Sequence, residues 1–145
     1  MEKISKEELF KEIDLIQACI NRMSHNSFLI KGWALTLFAG VTALLGEQLL
    51  TAPWLILCVI LLPFVGFWYI DAFFLTTEKR YRKLYQWVLE NRAKDITDFQ
   101  YSLDPSRFEG CYSVWSVMRS NTLTIFYGIP SLILIVLSAI LICQA

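Results

Sequence analysis

Apolar residues recur along this chain in two patterns, one periodic and one nearly unbroken. From Leu9 the apolar positions run through Ile13, Ile16, Ile20 and Met23 at steps of 4, 3, 4 and 3, and Ile30 continues the series one heptad later. That period of 3.5 is an a/d seam with the charges mostly off it, and it predicts an amphipathic helix over residues 5–27. Ser5 with Glu8 three residues on gives the capping-box signature at its start. Three near-continuous apolar stretches follow. Residues 28–45 carry one charge, Lys31; residues 53–75 carry one, Asp71; residues 121–143 carry none. A helix needs roughly 20 apolar residues to cross the hydrocarbon, with a range of about 17–25, so each stretch predicts a transmembrane helix, the first of them short.

The connections are of two kinds. Gly46-Glu47-Gln48 with Thr51-Ala52-Pro53 predicts a tight turn between the first two spans, with Pro53 in the first turn of the second helix. Residues 77–118 predict a longer helical segment. Tyr81, Leu84, Tyr85 and Val88 mark the apolar side of a helix over 77–92, and Asp104-Pro105 marks a turn. Phe108, Cys111, Tyr112, Trp115 and Met118 then repeat at helical spacing and predict a short amphipathic helix. Gly128 and Pro130 predict a bend in the first half of the third span. The expected fold is all-α: a single membrane domain over 1–145 with three transmembrane helices, an N-terminal cytoplasmic amphipathic helix, and a helical cytoplasmic segment between the second and third spans.

Composition supports the membrane reading. Apolar residues make up 56% of the 145, which leaves a soluble bundle too little polar surface to cover three such helices. No cleaved signal peptide is expected, because the first apolar run begins behind a polar segment and no small-residue cleavage site follows it. All thirteen Lys and Arg fall in two zones, one up to Lys31 and one from Lys79 to Arg119. The positive-inside rule then places the N-terminus in the cytoplasm and the short turn and C-terminus outside. Lys79, Arg80, Arg82 and Lys83 directly follow the second span and are expected to lie against anionic lipid headgroups. A formal net charge of zero gives no sign of a nucleic-acid partner.

Catalytic chemistry is not legible. The chain has one histidine, His25, whose Arg22-x-x-His25 pattern lacks the spacing of known nucleotide-binding nucleases. There is no Gly-rich phosphate loop, no G-x-S-x-G and no H-E-x-x-H. Cys19, Cys58, Cys111 and Cys143 show no metal-ligand spacing. No enzyme activity, cofactor or metal is expected. The charges inside the spans say more. With the turn centred near residue 50, Lys31 lies nineteen residues back and Asp71 twenty-one on, at nearly the same depth in an antiparallel hairpin. An ionisable group at mid-bilayer costs roughly 2.5–3.5 kcal/mol on insertion scales, and less near the edge. Lys31 and Asp71 are therefore expected to pair and fix the register of the hairpin. The alternative is that Lys31 snorkels to headgroups while Asp71 finds water or Tyr and Trp donors. Gly32, Thr36 and Gly40 form a small-residue face that lets another helix approach closely. For that face and for the Leu9–Met23 seam, packing within the chain and self-association both stand open. Glu47 reads as a turn residue, or as a pore-lining group in a ring of protomers.

Three stretches carry a resemblance: NSFLIKGW at 26–33, FWYIDAFFLTTEKRYRKLY at 67–85 and WSVMRSNTLTIFYGIP at 115–130. Together they resemble a widespread group of small bacterial membrane proteins, over most of the chain. More loosely, the hairpin with cytoplasmic helices is similar to the SLATT-type membrane effectors of antiphage defence. That similarity implies an oligomeric inner-membrane effector that breaches the membrane when a cytoplasmic sensor triggers it. The chain departs from that plan by its third span and by the lack of a ligand-sensing domain. The competing expectation is a non-conducting anchor or regulatory scaffold that binds a cytoplasmic protein partner through Thr77 to Met118. A transporter is disfavoured, because Thr36, Thr42, Ser131 and Ser138 can all bond their own helix backbone.

Overall fold

A computed structural model describes residues 5–94 and 96–144; Lys3, counted above in the first basic zone, lies outside them. Every regular element among the described residues is helical. We label them α1 (Lys6–Thr51), α2 (Ile56–Arg92), α3 (Val114–Met118) and α4 (Asn121–Cys143). The helices α1, α2 and α4 are each long and apolar enough to cross a membrane.

The amphipathic helix and the first span are a single element. Ser5 caps α1 through a complete capping box with Glu8, and the helix then runs 46 residues without interruption. No proline lies between Ser5 and Thr51, and an isolated glycine such as Gly32 costs a helix only about 1 kcal/mol. The helix expected over residues 5–27 therefore does not stop at Ser27 but continues into the first apolar stretch. The expected turn at Gly46–Gln48 is likewise helical. Helix α1 stops only at Ala52, whose backbone leaves the helical region (φ −130°, ψ 77°) because the ring of Pro53 excludes that conformation for the residue before it. Glu47 thus sits exposed on the last turns of α1, not in a turn.

Helix α2 continues past the apolar stretch to Arg92 with no break near residue 76. It begins with a π-helical segment, Ile56–Leu61, and α4 carries another at Thr124–Gly128. Each ends two residues before a proline, Pro63 and Pro130. A proline has no N–H for the ladder and its ring crowds the carbonyl four residues back, so a widened turn ahead of it relieves both problems. The irregularity expected from Gly128 and Pro130 is this π segment.

The expected helix over Phe108 to Met118 is broken in two. Asp104 caps a 3₁₀ segment over Pro105–Cys111. Tyr112 is extended (φ −141°, ψ 123°), and α3 starts only at Val114. The Tyr112 carbonyl accepts from Arg80 at 3.2 Å, which ties this extended residue to α2.

Three apolar clusters line the axis. In the polar extensions of α1 and α2, which form a two-helix stalk, Ile16 and Ile20 pack with Tyr81, Leu84 and Val88. In the middle, Ala34, Phe64 and Ala72 meet Val117, Met118, Leu123 and Tyr127. At the far end Leu49, Ile56 and Ile60 meet Leu134. Trp68 fastens α4's entry, its indole N–H donating to the Met118 carbonyl at 3.1 Å and its ring stacked on Tyr127. Because Ile16 is fully buried in the stalk, Ile16→Ala is expected to destabilise it by about 2–5 kcal/mol. The measurement is hydrogen-exchange protection across residues 81–92, and unchanged protection would refute the assignment of that core.

Candidate functional site

Two buried charge clusters cross-link α1 and α2. In the first, the Asp71 side chain has no solvent exposure, and the Lys31 ammonium lies 2.7 Å from its Oδ2. Ser27 completes the group: its hydroxyl donates to Asp71 Oδ1 and accepts from Lys31 Nζ at 2.9 Å. From α4 the Tyr127 hydroxyl faces the same carboxylate without a well-aligned hydrogen bond of its own. Lys31, 22% exposed, sits at the rim while Asp71 sits inside. The two residues singled out in the spans are thus brought together, and the snorkelling alternative does not describe this geometry. Ser27 was missed because a serine one turn from a lysine carries no sequence signal.

The second cluster was not foreseen. Glu12 and Arg92, with side-chain exposures of 2% and 1%, form a bidentate pair in which Arg92 Nε and Nη2 donate at 3.0 and 2.9 Å. The Tyr101 N–H donates to Glu12 Oε1 at 3.0 Å. Arg92 Nη1 donates to the carbonyls of Ile96 and Asp98. The chain from 96 to 101 is therefore wound around a guanidinium, and it holds Phe99 and Tyr101 at φ of 58° and 59°. Non-glycine residues in that left-handed region cost roughly 1–2 kcal/mol each, so the surrounding bonds must over-determine them. Glu12 looked like an ordinary off-seam charge, and only the partner eighty residues away marks it.

The clusters share one register. Glu12 precedes Lys31 by nineteen residues, and Arg92 follows Asp71 by twenty-one. At 1.5 Å per residue these are separations of about 29 and 32 Å, so the rungs meet in the same antiparallel alignment. Their polarity is crossed, with acid then base along α1 and again acid then base along α2.

The other candidate residues divide. Ile16 and Ile20 are buried against α2, with Leu9 and Met23 packed partly against the same cluster, while Ile13 is half-buried outside it. That face is used within the chain. Gly32, Thr36 and Gly40 are exposed, and a Cβ added at either glycine would meet nothing within 4 Å. The Thr36 hydroxyl donates to the Gly32 carbonyl. Of the four basic residues after the second span, Lys79, Arg82 and Lys83 are exposed. Arg80 instead turns inward to Tyr112 and Glu109, and Arg82 pairs with Glu78 at 2.7 Å. Two of the four expected headgroup contacts therefore have protein partners, because acids and a free carbonyl lie within their reach.

Between the stalk helices lies an open groove of about 380 Å³ lined by Gln17, Ile20, Asn21, Arg82, Tyr85 and Gln86. Beside it, burial and then the neighbouring Cys19 thiol push the Tyr81 hydroxyl above its usual range. Among the described residues no group of three or more His, Cys, Asp or Glu side chains is placed to hold a metal ion. No family model, curated protein or solved structure matches this chain.

Two outcomes follow from these sites. In a double-mutant cycle of Lys31→Ala and Asp71→Ala the coupling is expected to be about 0.5–3 kcal/mol; additive single effects would show that the pair contributes nothing. Near the 3₁₀ segment, the Ser106 backbone N–H and then its hydroxyl hold the Asp104 carboxyl below the usual carboxylate range. A depressed folded-state value means that this cap is present above the unfolded value of about 3.9 and is lost as pH falls through the lower folded value. An NMR titration of Asp104 with a midpoint at or above that unfolded value would contradict the cap.

Proposed function

We propose that this chain is the subunit of a homo-oligomeric membrane effector of the bacterial inner membrane, which permeabilises the bilayer when activated, as the similarity to antiphage-defence effectors implies. The carrying observation is the uneven burial of α1. Its stalk half is packed on α2, whereas only 6% of its most apolar window is buried. In lipid there is no hydrophobic force between helices, so association there depends on close packing of small residues. The bare Gly32–Thr36–Gly40 face supplies them. In this reading both basic zones face the cytoplasm, the stalk projects there with the N-terminus, the C-terminus lies on the periplasmic side, and Lys79 and Lys83 lie at the headgroups. Glu47, exposed near the opposite edge, is the acidic group that a ring of protomers would place around a cation path.

A second reading has an observation of its own. The Thr36 and Thr42 hydroxyls are spent on their own helix carbonyls, which takes both out of any water-filled path along α1. The loss of these two hydroxyls from any such path favours a non-conducting anchor or scaffold holding a cytoplasmic protein. One experiment separates the two: oligomeric state in mild detergent together with ion flux from liposomes. The effector predicts a ring-sized oligomer with flux, dissociated by Gly32→Leu with Gly40→Leu. An oligomer with silent liposomes favours the scaffold, and a silent monomer sinks the effector.

A further inference from the structure

Large aromatic side chains are exposed at the far end of the stalk, where lipid cannot account for them. Phe10 is 63% exposed and Phe99 59%. Phe10 and Asp14 precede Ser27 by seventeen and thirteen residues, and Trp87, against which Phe99 packs, follows Asp71 by sixteen. At 1.5 Å per residue all of them stand about 20–25 Å beyond the Ser27–Asp71 level. The headgroup layer is only about 5–8 Å thick on each side. With the Ser27–Asp71 level taken as the edge of the hydrocarbon, these rings stand in water.

On one flank they form a platform. The Arg107 guanidinium lies over Phe99 at 3.8 Å and over Trp87 at 4.6 Å, and those two rings meet edge to face. Arg107 is exposed, and a guanidinium stacked on rings keeps its in-plane N–H fork free for a carboxylate. Among the described residues no carboxylate bridges it. The nearby Asp104 carboxyl is occupied by Ser106 at 2.9 and 2.7 Å. The Glu12–Arg92 cluster holds Phe99 in this place against its backbone preference.

On another flank, α1 carries the complementary pair. With Glu12 set at zero on the helical wheel, the buried residues Ile16, Ile20 and Ser27 fall at about 40–80°, whereas Phe10 and Asp14 fall at about 160° and 200°. Asp14 is exposed and, among the described residues, has no ion-pair partner. Gly32 also falls at about 200°, so this face continues directly into the small-residue face of the span.

We propose that adjacent copies of this chain meet at the stalk tip, with Phe10 and Asp14 of one protomer against Phe99 and Arg107 of the next; this rests on the homo-oligomeric reading above. A bilayer fixes every copy at the same height and orientation, and both patches stand at that same height. Because the patches differ, the contact is heterologous, the kind that closes rings instead of stopping at dimers.

The test uses the full-length protein in detergent and in nanodiscs, sized by light scattering. All four residues are exposed, so the fold is expected to survive their substitution, and hydrogen exchange across 81–92 checks this. Asp14→Arg and Arg107→Glu should each weaken self-association at least tenfold, and the double variant should recover to within about threefold of the unsubstituted protein. With the native cysteines replaced by serine, F10C combined with F99C should yield an oxidised ladder beyond the dimer. Neutral single variants, no charge-swap recovery, or a ladder ending at the dimer would overturn the tip contact. If Gly32→Leu still dissociates such a protein, the oligomeric reading survives; a monomeric unsubstituted protein ends both.

Discussion

Asp71 is the one acidic residue in the apolar stretch 53–75, near its end, and its surroundings are arranged to make a buried carboxylate tolerable. Its side chain has no contact with solvent, so the carboxylate depends on Ser27 and Lys31 from α1, with the Tyr127 hydroxyl of α4 facing it. A slip of one residue between α1 and α2 would shift Lys31 by about 1.5 Å and swing it by about 100°, leaving the carboxylate buried without its cation. Breaking a buried pair in this way costs about 3–5 kcal/mol, far more than making it contributes relative to an apolar pair. The cluster therefore acts chiefly through the alignments it forbids.

Glu12 and Arg92 repeat that constraint at the other end of the stalk, with the polarity reversed. Between the rungs the packing is apolar and periodic, so Ile16, Ile20, Leu84 and Val88 alone would tolerate a slide of one heptad. The two ion pairs do not. Together they turn an amphipathic seam into a single alignment, and the loop wound around Arg92 is fixed by the same atoms.

Continuity of the helices gives this alignment its consequence. Neither α1 nor α2 breaks between stalk and apolar half, so a displacement at the stalk tip is carried along a rigid rod into the apolar half. The widened turns lie elsewhere, in the first part of α2 and of α4, each ahead of a proline. In the proposed effector, the packed stalk is the lever and the bare face of α1 is the surface on which assembly acts.

Much of this architecture is legible in the amino-acid order, and the rest is not for definite reasons. The three spans, the capped start of α1 and the Lys31–Asp71 pairing follow from local hydropathy, a four-residue motif and equal distances from a turn. Boundaries within α1 and at its end were less legible. Asn26, Ser27 and Gly46 are weak breakers whose effect depends on context, whereas Pro53 acts through sterics and stops the helix regardless. The break between Phe108 and Met118 falls at Tyr112, whose carbonyl is bound by Arg80 from thirty-two residues away, a contact that helical periodicity does not report. Likewise Glu12 becomes a buried group only because Arg92 and the Tyr101 N–H arrive from eighty and more residues away. Composition and periodicity thus determined which segments are helical and which are apolar enough to cross a membrane. Tertiary structure alone decided that Glu12 and Arg92 are buried together, because the register of the Lys31–Asp71 pair reaches them only once α1 and α2 run unbroken through both ends.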